Sequence, residues 1–410
     1  MKEDFITGVK IKKSRNVKDL NIKLSKNKRQ HIIITGKNGS GKTSLLLEIF
    51  KFLKNFESGH IREFNSLKYS LESKRSYLES EKDNGIIFHL ESEIRSVIRD
   101  LEKFGGIELQ FSSNISTVFE KYLSGKYLLT FFGSKRFSHM EVPSGIFKTN
   151  LKKQYNLNER ANQSFIQYIV NLKADRSFAR DDGETKVVEK IDAWFDRLEM
   201  SLKIIFDTPN LKLEFDRKNY NFNIHTEERE PFSFNTLSDG YSAILAIVSE
   251  LILRMEAQNV DAYDLEGIVI IDEIETHLHV DLQKKILPFL IGFFPKLQFI
   301  VTTHSPFVLS SVSDAIICDL ETRTITSDLS SYSYDALIES YFKADKYSDI
   351  IKTKIIEFKR LTSLKNRTSE ENSRLHHLRN YFAHAPKYLS NELMVQLQQI
   401  KLKELNNKNS

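Results

Sequence analysis

Cysteine is all but missing from this chain. Cys318 stands alone among 410 residues, which excludes an internal disulfide framework and fits a reducing compartment. Proline and glycine are also scarce, at 7 and 15, which argues against long linkers and for a helix-rich protein. No apolar run approaches membrane-spanning length, and Met1-Lys2-Glu3-Asp4-Phe5 carries no signal-peptide apolar region. The expectation is a soluble, cytoplasmic protein with no membrane association. Nor does one sign of charge dominate: 60 basic residues face 55 acidic ones, a net of +5. That balance does not by itself imply nucleic-acid binding, so any basic patch has to be local. With 40% hydrophobic and 28% charged residues, the composition is globular, with room for one large core or two to three domains.

The rest of the chain is organised around Gly36-Lys37-Asn38-Gly39-Ser40-Gly41-Lys42-Thr43, which fits the phosphate-loop pattern G-x-x-x-x-G-K-[ST] throughout. Its glycines let successive N–H groups point into one anion-sized hollow. A helix beginning near Lys42 adds the positive end of its dipole. Lys42 can reach β- and γ-phosphates, and Thr43 Oγ1 can take a Mg²⁺ coordination position. The context agrees, because His31-Ile32-Ile33-Ile34 reads as a buried strand and Ser44–Phe50 as a helix. ATP and Mg²⁺ are therefore the expected cofactors, with Gly36, Asn38, Gly39, Ser40, Gly41, Lys42, Thr43 and Ser44 around the nucleotide.

Before the loop, residues 3–36 read as one short sheet. Its first two strands, Phe5 to Ile11 and Leu20 to Leu24, flank the basic turn Lys12-Lys13-Ser14-Arg15-Asn16. That turn is either a solvated loop or, if the strands pair, a neighbour of the nucleotide. After the first helix, apolar residues recur at spacings of three, four and seven from Ile61 to Leu101, with a break at Asp83-Asn84-Gly85. This predicts an inserted antiparallel helical hairpin. Strands follow at Ile107–Phe111 and Tyr127–Phe132, the second ending in Gly133-Ser134-Lys135-Arg136. Residues 151–206 read as helical, and Leu211–Phe215 with Tyr220–Ile224 as a β-hairpin.

Three further motifs then come in order. Leu237-Ser238-Asp239-Gly240 precedes an apolar helix, with Ser238 as N-cap and a second anion-seeking helix start behind it. Gly267-Ile268-Val269-Ile270-Ile271-Asp272-Glu273 is an apolar strand closing on two acids. In a buried strand such a pair is costly unless a cation meets it. Asp272 would hold Mg²⁺ through water, and Glu273 would activate the attacking water as general base. Finally, Gln298–Thr303 ends in His304-Ser305-Pro306, where His304 could hydrogen-bond the γ-phosphate and sense its loss. The catalytic set is Glu273, His304 and Lys42, and the metal set is Thr43 and Asp272.

With these motifs in order, the chain resembles an ABC-type ATPase of the non-transporter kind. That group includes the structural-maintenance-of-chromosomes and recombination-repair ATPases, the overcoming-lysogenization-defect family, and the ATPase subunits of antiphage systems such as Septu and PARIS. Its most specific text is Ile270–His279 paired with Thr302-Thr303-His304-Ser305-Pro306. The implied fold is α/β: an ATPase head with a mixed sheet and flanking helices, an inserted helical hairpin and a helical C-terminal domain. The implied segments are head residues 1–60, the hairpin insertion 61–104, head strands 105–150, a helical insertion 151–206, head residues 207–328 and a C-terminal domain 329–410. The resemblance also implies that Ser238 and Gly240 contact nucleotide held by an opposite subunit, so that ATP drives homodimerisation. It places Arg15 and Asn16 at the nucleotide. No clear glutamine lid follows Tyr127–Phe132, and Arg136 is the candidate substitute.

Near the C-terminus, Arg379-Asn380-Tyr381-Phe382-Ala383-His384 fits R-x4-H and resembles the motif of HEPN ribonucleases. There, arginine and histidine from two subunits converge on an RNA phosphate; here Arg379, Asn380 and His384 are the candidates, against a plain packing role. Three functions follow: a defence ATPase controlling a nuclease effector subunit, the same ATPase with its own C-terminal ribonuclease, or a DNA-repair or chromosome-organising ATPase. The short insertion weighs against the last, which needs long coiled coils.

Overall fold

The computed structural model describes residues 3–136, 140–227, 229–258, 264–337, 349–364 and 366–383. Strands along the chain are β1 (Ile6–Ser14), β2 (Val17–Lys23), β3 (His31–Thr35), β4 (Ile107–Phe111), β5 (Tyr127–Phe132), β6 (Lys212–Asp216), β7 (Asn221–Thr226), β8 (Arg229–Ser233), β9 (Glu266–Ile271), β10 (Leu297–Thr302), β11 (Ala315–Asp319) and β12 (Thr324–Ser327). The helices are α1 (Lys42–Glu57), α2 (Phe64–Ser80), α3 (Asn84–Leu101), α4 (Ile115–Leu123), α5 (Phe165–Asp181), α6 (Thr185–Phe206), α7 (Asp239–Glu256), α8 (Val280–Phe293), the single turns α9 (Pro306–Leu309) and α10 (Tyr334–Ala336), α11 (Asp349–Ser363) and α12 (Ser369–Ala383). The chain divides into two compact units, residues 1–332 and 333–410.

Continuous apolar runs build the centre of the first unit. β3, β10 and β11 are buried at every position, as parallel strands covered on both faces must be. They belong to a six-stranded sheet of order β12-β11-β3-β10-β9-β5. Its inner pairings are parallel, and β12 closes one edge antiparallel. Helix α1 buries Leu45, Leu46, Ile49, Phe52, Leu53 and Phe56. These join Ile32, Ile34 and Ile300 of this sheet to Val9, Ile22 and Leu109 of a second one.

That second sheet corrects one expectation. Residues 3–36 do not form a single sheet: β1 pairs with β2 and, from beyond the helical hairpin, with β4, while β3 joins the main sheet. The physical reason lies in the pattern. In β1 and β2, Val9, Ile11 and Ile22 are buried between exposed or half-buried neighbours such as Lys10, Lys12 and Lys23, which suits a sheet wet on one side, whereas β3 needs cover on both. A third sheet, β6-β7-β8, includes a strand that the alternation pattern missed. Arg229-Glu230-Pro231-Phe232-Ser233 is polar and carries a proline, which only an edge strand tolerates.

Helices α2 and α3 run antiparallel, each about 26 Å long at 1.5 Å per residue. Asp83 caps α3 by accepting from the N–H groups of Gly85 and Ile86, and Lys74 reaches Glu93 across the pair at 2.7 Å. In the second unit α11 and α12 pack through Phe358, Leu361, Leu375, Leu378 and Phe382, and Arg374 forms a two-pronged pair with Glu357. Among the described residues, no helix is long and apolar enough to cross a membrane.

His31, at the start of β3, is 4% exposed, and its Nδ1 accepts from the Phe299 N–H at 3.1 Å. Burial, aided by nearby Arg29, pushes its pKa down to about 4 from 6.5. Above pH 6.5 both folded and unfolded states hold it neutral. Below, the unfolded chain takes up a proton that the folded chain refuses, so stability falls as pH drops from 6.5 toward 4. The loss approaches about 3 kcal/mol. Urea midpoints across this range should therefore fall less steeply for His31→Asn than for the wild type. Parallel slopes would exclude His31 as the titrating group.

Candidate nucleotide-binding site

The parallel registers bring the motifs to one edge. Ile34 is level with Thr302, Val301 with Ile271, and Ile271 with Phe132. The loop after β3, the acids after β9, His304 after β10 and Arg136 after β5 therefore emerge side by side. Ligand crevices of open α/β sheets lie at such carboxyl ends. In the loop, Gly36 has φ +133°, and a Cβ there would stand 2.8 Å from Ser40 Oγ, so only glycine fits. Asn38 and Gly39 are exposed and Ser44 half-buried. Gly41 precedes α1 as its left-handed N-cap residue.

Lys42 folds back over the loop, its Nζ donating to the carbonyls of Gly36 at 2.8 Å and Lys37 at 3.1 Å. Burial lowers its pKa, opposed by the carboxylates of Glu273, Glu275, Asp272 and Asp319. Ser40 Oγ is buried within the loop without a hydrogen-bond partner.

The two acids are held by donors from neighbouring strands. Thr302 Oγ1 donates to Asp272 Oδ1 at 2.6 Å, and Thr43 Oγ1 approaches the same oxygen at 3.3 Å. Thr302 Oγ1 also accepts from the Glu273 N–H at 2.7 Å. Thr302 thus fixes both acids with one hydroxyl. Glu273 has φ +47°, a strained conformation for a non-glycine residue, and turns the chain sharply off β9. The Glu275 carboxylate accepts from the His304 N–H at 2.5 Å through Oε1, while its Oε2 is buried without a partner. Burial and the Lys42 ammonium hold the His304 imidazole below its ordinary pKa, against the pull of Glu275, Glu273 and Asp272. His304 is therefore neutral at physiological pH.

Arg136 is 5% exposed. Its guanidinium donates to the carbonyls of Gly133 (3.0 Å), Asp272 (2.5 Å), Glu273 (2.8 Å) and Ile274 (3.2 Å). Burial lowers its pKa to about 10, with the acids Glu275, Asp272 and Glu273 opposing. A side chain with four backbone partners clamps the acidic turn.

A protein-family model described as "AAA domain, putative AbiEii toxin, Type IV TA system" matches residues 32–310, more than half of the chain. The chain belongs to this AAA-domain family. Among curated proteins it is 26% identical over 352 residues to the Septu protein PtuA of Bacillus mycoides, covering 83% of this chain and 45% of that one. It is 33% identical over 151 residues to the "Retron Ec83 probable ATPase" of Escherichia coli, covering 34% of this chain and 27% of that protein. With the "Retron Vc95 probable ATPase" of Vibrio cholerae it shares 26% identity over 378 residues, covering 74% of this chain and 71% of that protein. The chain thus spans less than half the length of the first two relatives. Among solved structures, the SMC head domain from Thermotoga maritima aligns at 13% identity and TM-score 0.34, covering 77% of this chain and 94% of that one.

Within this AAA-domain chain, the remaining candidates lie apart from the acids. Ser238 occupies the N-cap position of α7, but its side chain makes no capping hydrogen bond, which corrects the sequence expectation. Gly240 is pressed against the turn beyond the acids, where a Cβ would stand 2.7 Å from the His277 carbonyl oxygen. The two lie in a cleft lined also by Tyr241, His277, His279 and Lys285. Arg15 and Asn16 form the β1–β2 turn, and the next residue, Val17, comes within 3.8 Å of where a Cβ on Gly41 would sit. The Asn16 carbonyl accepts from Arg323 at 3.4 Å. In the second unit Arg379 and Asn380 lie on α12, and His384 lies outside the described residues.

Sequence reading missed three contributors: Thr302, Glu275 and the clamp made by Arg136. Thr302 carried a weak signal, as a hydroxyl ending an apolar strand beside His304. Glu275, inside the run Ile270–His279, and Arg136, the candidate lid substitute, stood out as residues, but nothing local showed that their partners are backbone atoms of distant residues. Arg136→Met should leave buried carbonyls unsatisfied and lower stability by about 3 kcal/mol or more, with Arg136→Lys recovering only part for lack of the planar fork. A thermal midpoint unchanged in Arg136→Met would rule out the clamp.

Proposed function

We propose that the chain binds Mg²⁺-ATP at this edge, hydrolyses it, and uses ATP-driven pairing of two heads to control a nuclease effector subunit in antiphage defence. The observation that carries the reading is the convergence of Thr43 and Thr302 on one Asp272 oxygen beside the phosphate loop.

The residues present suit the cofactors. The donors around Asp272 are all oxygen, as Mg²⁺ prefers over softer metals, and the orphaned Ser40 Oγ supplies a hydrogen bond that a phosphate oxygen would accept. Thr43 and Asp272 would hold the ion, which supplies charge neutralisation at the phosphates when bound. The loop N–H groups from Gly36 to Ser44 orient the phosphates, and Lys42 exchanges its carbonyl partners for them. Glu273, steadied through its backbone N–H by Thr302, takes the proton of the attacking water. His304, neutral and held through its backbone by Glu275, donates one hydrogen bond from a ring N–H to the terminal phosphate. Arg15 and Asn16 border the nucleotide.

The head-pairing part rests on Ser238 and Gly240. They stand in a cleft lined by His277 and His279, beyond the acidic turn, so they suit a nucleotide presented by a second head. Antiphage defence and the nuclease effector rest on the resemblance of the motifs and on relatives named as Septu and retron proteins.

Glu273→Gln should bind ATP normally and lose about 10²–10⁴-fold in turnover, the contribution of a general base. With ATP it should elute as a stable dimer on size-exclusion chromatography with light scattering. A monomer that turns over ATP at the wild-type rate would refute the reading.

A further inference from the structure

One short segment of the chain is strongly basic. Between positions 10 and 26 stand Lys10, Lys12, Lys13, Arg15, Lys18, Lys23 and Lys26, against the single acid Asp19. This segment carries +6 of a total of +5, so the remaining residues sum to −1. Structurally it is the β1–β2 hairpin and the turn that follows it. All seven cations are exposed except Lys10, which is half-buried, and none of the seven forms an ion pair among the described residues. The next cations along the chain are paired: Lys28 with Asp314, Arg29 with Glu3, and Lys37 with Glu321. Lys13 and Lys18 lie directly opposite each other in the ladder. Like charges so placed weaken a sheet, which makes them costly to the fold by itself.

We propose that this hairpin is a docking strip for the phosphodiester backbone of a nucleic-acid duplex. Two observations choose that partner. No large exposed apolar side chain occurs from position 10 to 26, so the strip has neither the aromatic platform that stacks single-stranded bases nor the wedge that enters a lipid surface. The ribbon is also of fitting length. The seven residues of β2 span about 23 Å at 3.3 Å each, matching about seven base pairs of duplex rise. Contacts of this kind neutralise phosphates and do not read bases, so binding is independent of sequence and steeply dependent on salt. The strip's tip borders the phosphate loop at Gly41, so a duplex lying on it would run past the candidate nucleotide site.

The test uses the full chain and fluorescein-labelled 30-base-pair DNA, the corresponding RNA duplex and a single strand, with anisotropy read across a salt series. The hairpin variant is Lys12→Gln, Lys13→Gln, Lys18→Gln and Lys23→Gln together; Arg15 is left intact. The control neutralises four exposed lysines elsewhere, Lys54, Lys148, Lys186 and Lys359. Wild type and control should bind one or both duplexes with similar affinity at low salt, and favour a duplex over the single strand. The hairpin variant should bind at least tenfold more weakly, with the slope of log K against log salt shallower by up to about 3.6, near 0.9 for each of four lost phosphate contacts. Its thermal midpoint should not fall, since the Lys13–Lys18 repulsion is relieved, and this separates lost binding from lost folding. DNA against RNA identifies the source of the backbone. Equal weakening in the control, preference for the single strand, or binding of anionic vesicles without binding of either duplex would overturn the proposal.

Discussion

Two adjacent carboxylates at the end of a buried strand are the constraint on which this structure depends. Desolvating such a pair costs several kcal/mol unless donors or cations meet it. Each neighbouring element supplies something. β10 contributes the Thr302 hydroxyl, which donates to Asp272 and accepts from the Glu273 backbone. α1 contributes Thr43. The segment after β5 contributes Arg136, whose fork gathers the carbonyls of Asp272, Glu273 and Ile274. The charge is thus balanced from three directions, and the acidic turn is held rigid although Glu273 sits at a positive φ.

The same arrangement anchors Arg136. Its fork reaches four carbonyls, three of them in the acidic turn. It acts as a positioning residue for the turn that carries Glu273 and Glu275. Glu275 in turn holds the backbone at His304, so the turn after β9 and the turn after β10 are tied together. Farther along, Gly240 closes on the His277 carbonyl. The start of α7 and the turn beyond the acids are thus packed with no room for a methyl group between them.

Much of this was legible in the chain. The phosphate loop, the strand ending in Asp272 and Glu273, and the strand ending at His304 are local patterns: four or five apolar residues followed by a change of chemistry. Such patterns survive because a parallel strand must be apolar throughout, so its end is marked by the first polar residue. The helical hairpin was equally plain, since amphipathic spacing and a turn triplet are also local. Less legible were β8, with its proline, and the partnership of β1 and β2 with β4, whose sequence neighbours lie on the far side of the α2–α3 hairpin.

By itself, then, the sequence determined which segments are strands and helices around the phosphate loop, and where the loop pattern and the acidic pair stand along the chain. Those properties depend on residues within a turn or two of one another. Tertiary structure alone decided that Thr302, Arg136 and Glu275 support the acids. It also gathered the lysines of β1, β2 and the turn after them into one exposed ribbon beside Gly41. The physical reason is the same in both cases. Hydrogen bonds to distant backbone carbonyls and the register between strands leave no periodic trace in the chain, and they exist only once the sheets have paired.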